Sequence, residues 1–136
     1  QTQTKGRGKP GSSWFSPKGN LYLSAVVKPR KNPADLAPIT LLGALAARSA
    51  IAQAAKLSPV IKWPNDLLVG GRKICGVLVE RVASGHLIIG IGININGQVP
   101  SAATSLNIET GKTFSVNKIQ KLLIAGLDQE YRLFLG

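Results

Sequence analysis

With 136 residues, 44% of them hydrophobic, the chain is long enough for one domain with its own core and too short for two ordinary ones. A mean hydropathy of +0.13 excludes a disordered chain, no apolar run is long enough to span a bilayer, and a single cysteine excludes a disulfide framework or a cysteine-cluster metal site. The formal net charge of +11 asks for an anionic partner, whether nucleic acid, lipid headgroup or phosphate-bearing ligand.

The chain opens on Gln1 and holds no methionine, which reads as a fragment or a trimmed chain. Residues 1–19, rich in Gly, Ser, Pro and basic side chains, read as a long mobile loop. Residues 20–28 alternate as a strand. The Ala/Leu-rich run over 33–57 predicts one long helix with Asn32 as N-cap and Pro33 at its first position. Leu41, Leu42, Leu45 and Ala46 belong to its buried stripe, and Pro38 bends or delays its start. Residues 59–63 form a short strand that Pro64 ends or confines to a sheet edge. Gly70-Gly71 suits a two-residue hairpin turn between strands at 67–69 and 74–82, and Ser84-Gly85 turns the chain into a strand at 86–95. A loop follows, then an amphipathic helix over 116–134 capped by Ser115, with Ile119, Leu122, Leu123 and Leu127 inward. The order predicts a single α+β domain over 1–136, with a mixed, largely antiparallel sheet and helices packed on one side.

Three stretches crowd groups that carry chemistry. In HLIIGIGINI, residues 86–95, alternation gives Leu87, Ile89, Ile91 and Ile93 to a core face and Ile88, Gly90, Gly92 and Asn94 to the other. Glycines on one strand face, with Gly76 in the preceding strand, fit either tight packing or a pocket floored by bare backbone. In IKWPND, Lys62 and Trp63 point to opposite faces, Trp63 reads as core, and Asn65 and Asp66 fall at a turn. KGRGKPGSSW, residues 5–14, offers three cations, glycine-freed amides and an indole, yet has no GxxxxGK[ST] pattern. Cys75 lies in an apolar strand as a buried, inert thiol, and His86 begins a strand as an exposed side chain. No His–Ser or His–Cys pairing suggests a nucleophilic enzyme.

Taken together, GRGKPGSSW at 6–14, KWPND at 62–66, RKICGVLVE at 72–80 and GIGIN at 90–94 resemble the catalytic domain of biotin protein ligases. The resemblance implies a two-step ligase using ATP and Mg2+, which activates biotin as biotinyl-5′-AMP and transfers it to a lysine of a biotin carboxyl carrier domain. It implies Lys73, Arg7 and Lys62 as catalytic cations, with Gln3, Arg7, Gly8, Lys9 and Lys73 around biotin and the α-phosphate. Gly76, Leu78, Gly90 and Ile93 would form the floor and walls of the biotin site. Asn65 and Asp66 would serve the adenylate and its Mg2+, Asn94 the nucleotide region, and Trp14 would close over the adenine. Clustered cations suit the task, because a carboxylate and a phosphate must meet despite their repulsion. The implied setting is cytoplasmic, without a membrane partner, and a homodimer is compatible with it.

The sequence also departs from that pattern. The family's Ser-Thr-Asn element upstream and small β domain downstream are not in this sequence, and simple alternation puts Lys73 on the opposite face from Gly76, so the strand must begin or bulge between them. Two rival readings are a lipoate ligase or octanoyltransferase and a basic nucleic-acid-binding module. KWPND argues against the first, and an aromatic content of only 5% leaves few stacking platforms for the second.

Overall fold

Five strands, Leu21–Val27 (β1), Val60–Lys62 (β2), Asp66–Val69 (β3), Arg72–Arg81 (β4) and Leu87–Ile93 (β5), form one sheet in the computed structural model, which describes residues 1–135. The spatial order is β1-β5-β4-β3-β2, and every neighbouring pair runs antiparallel. The expected sheet is thus present, and among the described residues it is antiparallel throughout. Gly70 and Gly71, at φ 58° and 78°, close the β3–β4 hairpin in a conformation that side chains with a Cβ resist.

The pairing register sorts the two faces. Leu21, Leu67, Cys75, Val77, Leu87, Ile89, Ile91 and Ile93 are buried on one of them. The opposite face carries rows read across β1, β5 and β4: Tyr22–Gly92–Gly76, then Ser24–Gly90–Leu78, then Val26–Ile88–Glu80. Only the first face has a continuous apolar surface, so the helices pack there.

Helix α1 spans Ala37–Ala55 and buries Ile39, Leu42, Ala46, Ala47, Ala50 and Ile51, while Leu41 and Leu45 stay half-buried. It starts four residues later than the expected Pro33, and Asn32 is not its cap. Extending the helix back to 33 would bring Pro38 into its interior, where the ring clashes with the preceding turn and the missing N–H breaks the ladder. Starting at Ala37 puts Pro38 in the first turn, where no N–H is needed. The Asp35 carboxylate accepts from the Ala37 N–H at 2.9 Å in place of an N-cap side chain. Gly43 lets α1 lie close to the sheet, since a Cβ there would come within 2.9 Å of Val77 Cγ1.

A short helix, Leu106–Thr110 (α2), stands in what the sequence reads as loop; Ser105 Oγ caps it by accepting from the Ile108 N–H at 3.1 Å. Helix α3, Val116–Leu135, buries Ile119, Leu123 and Leu127 against the core and packs along α1, with Ser115 Oγ accepting from the Lys118 N–H at 3.3 Å. No helix is long and apolar enough to cross a membrane among the described residues.

Candidate functional site

The helix-free face of the sheet is where the sequence's unusual residues collect. The first question there is how Lys73 reaches it. Leu67 pairs with Cys75, but Leu68 pairs with Lys73, so β4 carries one extra residue at Ile74. This bulge reverses the alternation once. Ile74 and Cys75 are both fully buried, and Lys73 and Gly76 both face the open side. The parity conflict in the sequence is resolved by the bulge it requires.

Lys73 Nζ then lies 3.0 Å from Asp66 Oδ1 and 5.0 Å from the centre of the Trp14 ring. Two attractions, a carboxylate and an aromatic face, hold one ammonium at the cleft's end. Asp66 heads β3 directly after the Trp63–Pro64–Asn65 turn. The Asn65 carbonyl accepts from the Val77 N–H at 2.8 Å, which fixes that turn against β4.

Residues 1–16 cross this face as a folded-back loop. Its backbone is joined by Gln3 N–H to Ser16 O, Gly8 N–H to Ser12 O and Trp14 N–H to Gly6 O, at 3.1, 3.3 and 2.9 Å. The sequence reads this segment as having little to bury, and Trp14 is the exception. Its indole lies on the bare backbone of β4 and β5: a Cβ added at Gly92 would fall 2.6 Å from the ring, and one at Gly76 2.8 Å. Both glycines are therefore required by close approach. At Gly90 the nearest atom to such a Cβ is the Leu78 carbonyl oxygen, 3.4 Å away, so that part of the floor is open.

Between loop and sheet lies a cleft of about 360 Å³. Of the sequence-predicted residues, Gln3, Arg7, Gly8, Lys9, Trp14, Asn65, Asp66, Lys73, Gly76, Leu78 and Gly90 line it. Arg7 is paired with Glu80 at 3.0 Å. Three expected residues do not take part. Ile93 is fully buried on the core face, as the parity of β5 dictates. Asn94 lies beyond the end of β5, buried, and its amide donates to the Thr104 carbonyl at 3.0 Å, so it fastens the following loop. Lys62 is exposed at the end of edge strand β2, and neighbouring Trp63 is 64% exposed rather than core. A three-residue edge strand followed by proline gives the indole nothing to pack under. His86 sits in the β4–β5 turn beside Ser84, away from the cleft.

The sequence reading missed Tyr22 and Ser24, which line the cleft from β1. The signal was present in their alternation, but only the register, Tyr22 opposite Gly92 and Ser24 opposite Gly90, shows which face they share. Burial raises the Tyr22 phenol above its ordinary pKa, partly countered by the Asn20 side chain. Burial also pushes the Cys75 thiol far up, with Lys73 lowering it only in part.

Such a site, cationic at its rim and bare at its floor, has the charge and shape to complement an anion joined to a flat apolar group. The chain belongs to the biotin/lipoate A/B protein ligase family, whose model matches residues 1–95. It is 33% identical to the bifunctional ligase/repressor BirA of Bacillus subtilis, over 98% of this chain and 45% of that protein. It is 35% identical to the biotin–[acetyl-CoA-carboxylase] ligase of Paracoccus denitrificans, over 82% of this chain and 47% of that one. Among solved structures it is similar to the biotin protein ligase of Aquifex aeolicus in complex with biotin and ATP, with a TM-score of 0.90, 32% identity, and coverage of 98% of this chain and 59% of that one. The chain thus spans less than half the length of the curated relatives named.

Proposed function

We propose that the chain forms the adenylate-forming part of a biotin protein ligase. The observation that carries this reading is the placement of Lys73 by the β4 bulge, in the same cleft as Arg7, Lys9 and the open floor at Gly90. In the first step, a biotin carboxylate oxygen attacks the α-phosphorus of ATP, the bond to the β-phosphate oxygen breaks, and pyrophosphate leaves. In the second, a lysine amine of an acceptor protein attacks the acyl carbon of the mixed anhydride; an amide forms, AMP leaves and the amine loses a proton. The Paracoccus denitrificans relative is named a biotin–[acetyl-CoA-carboxylase] ligase and the Aquifex aeolicus structure is a complex with biotin and ATP, which supports biotin as substrate and a carboxylase carrier domain as acceptor.

The cations and the open floor of the cleft each have a task under this reading. Gly90 leaves a slot for biotin's fused rings, with Leu78 and Ser24 beside it. Lys73, Arg7 and Lys9 neutralise the repulsion between carboxylate and phosphate and stabilise charge that grows in the transition state. The cleft needs no nucleophilic side chain, because the substrates supply both nucleophiles. Use of ATP as co-substrate is consistent with the cytoplasmic setting we propose.

Mg2+ enters as the ion carried by ATP. Among the described residues no three His, Cys, Asp or Glu side chains gather into a metal cage. Asp66, the expected ligand, already holds Lys73. Its role here is to orient that ammonium, and the ion's ligands would come chiefly from phosphate and water.

Biotin-dependent exchange of labelled pyrophosphate into ATP tests the reading directly. Exchange with biotin and none with lipoate or octanoate is the expected result. Exchange driven by lipoate alone would move the chain to the other branch of its family, and exchange with none of them would remove the adenylation reading.

A further inference from the structure

Glu80 closes the stretch RKICGVLVE, and no step of the proposed reaction uses it. The register puts it on the open face opposite Ile88, one row beyond Leu78 and Gly90, and it lines the cleft. A carboxylate in that position repels a ligand bearing a carboxylate and phosphates. By charge alone it weakens the binding for which the cations are gathered. Its Oε1, however, lies 3.0 Å from a terminal nitrogen of Arg7.

Arg7 sits in a loop whose backbone hydrogen bonds over residues 3–16 are made mostly within the loop itself. Contact with the sheet comes from Trp14, which lies on Gly76 and Gly92 beside the Lys73 ammonium, and from the Arg7–Glu80 pair. Trp14 Nε1 is buried without a hydrogen-bond partner, so no polar bond of its own fixes the indole there. We propose that Glu80 is a positioning residue, which holds Arg7 and with it the basic loop across the sheet, so that Trp14 stays on its glycine floor and the cleft is formed before an anion arrives. A guanidinium has donors enough to keep one fork on Glu80 while another meets an incoming phosphate. The ligand named in the test rests on the adenylation reading; the effect on the ligand-free loop does not.

Side-chain exposures of 70% for Arg7 and 35% for Glu80 make this a screened pair, able to bias the loop by up to about fivefold. The chain has two tryptophans, and Trp63 is the exposed one. Trp63→Phe therefore leaves Trp14 as sole reporter. In that background, acrylamide quenching and emission maximum are measured with and without Glu80→Gln, at low and high salt. The proposal expects a sheltered Trp14, quenching that rises about two- to fivefold in Glu80→Gln, and a salt effect confined to the parent. Calorimetric titration with a non-hydrolysable biotinyl-AMP analogue adds a readout of opposite sign for the two explanations. Positioning makes Glu80→Gln bind several-fold more weakly; removal of a repelling charge makes it bind more tightly. Unchanged quenching, or tighter binding, overturns the proposal. If no variant binds the analogue, the adenylation reading fails, and the quenching comparison still decides the role of Glu80.

Discussion

Lys73 is held at the cleft by Asp66 on one side and the Trp14 ring on the other, so its substitution tests chemistry and leaves much of the fold alone. Under the proposed function, Lys73→Ala would remove a charge-assisted contact to the reacting anions and leave the Asp66 carboxylate uncompensated beside them. Adenylate formation should slow by about 2–4 kcal/mol of lost transition-state stabilisation, with unfolding midpoints close to the parent's. Pyrophosphate exchange that persists at the parent's rate in a folded variant would take Lys73 out of the mechanism. A second residue-scale expectation concerns alkaline pH. The Cys75 thiol stays protonated in the fold well above its unfolded pKa, and Tyr22 is shifted the same way. As pH rises past about 8.5 the unfolded chain releases its thiol proton first, so the native state loses stability. Between pH 7.5 and 9.5 the thiol should remove about 1.4 kcal/mol. Urea unfolding at the two pH values checks this, and Cys75→Ala should flatten the decline. Equal declines in both proteins would show that the buried thiol is not the source.

At the scale of elements, what could be read from the sequence was what local chemistry decides alone. The Gly70-Gly71 hairpin, the alternation of β5 and the buried stripe of α3 each follow from a few neighbouring residues. Placement across the sheet did not. Tyr22 and Ser24 needed the β1–β5 register, Trp63 needed to be seen on an edge strand, and Asn94 needed the chain to leave β5 two residues earlier than expected. Lys73 is the intermediate case, since its conflict with Gly76 demanded a break in alternation and the bulge at Ile74 supplies it. The glycine floor gives this scale its test. A Cβ at Gly90 meets nothing closer than 3.4 Å, so Gly90→Val should fold as well as the parent, helped by valine's fit to a strand. It should also abolish biotin binding by filling the slot. Gly92→Ala differs, because its methyl would meet Trp14 at 2.6 Å and must displace the ring. Biotin titrations of the two variants separate these effects: undiminished affinity in Gly90→Val would mean that the open floor is not the biotin slot.

The molecule as a whole divides into a rigid half and a half with few restraints. Helices α1 and α3 clamp one face of the sheet through a continuous core, whereas the loop of residues 1–16 lies across the other. The loop's central segment carries Lys5, Arg7 and Lys9, whose mutual repulsion only Glu80 relieves among the described ion pairs. Local opening of this cover should therefore need far less free energy than opening of β4 and β5. Fixing a backbone costs about 1–2 kcal/mol per residue, so one exposed ion pair and one indole leave the closed loop only a small margin over open ones. A bound adenylate adds a phosphate for Arg7 and Lys9 and an aromatic face for Trp14, so binding and loop ordering should strengthen each other. Hydrogen exchange on residues 5–13, with and without a non-hydrolysable biotinyl-AMP analogue, measures that coupling. Amides in this segment should exchange fast in the free protein and slow at least tenfold with ligand, while β4 and β5 amides stay slow in both states. Arg7→Ser should speed dissociation of the analogue more than it lowers the unfolding midpoint, because under the proposed function Arg7 would grip the ligand, and it contributes little to the core. Closure of this kind would hold the reactive anhydride away from water until an acceptor lysine arrives. Equal exchange of residues 5–13 in the two states, once binding is shown by titration, would sink the lid and leave the loop as a fixed wall.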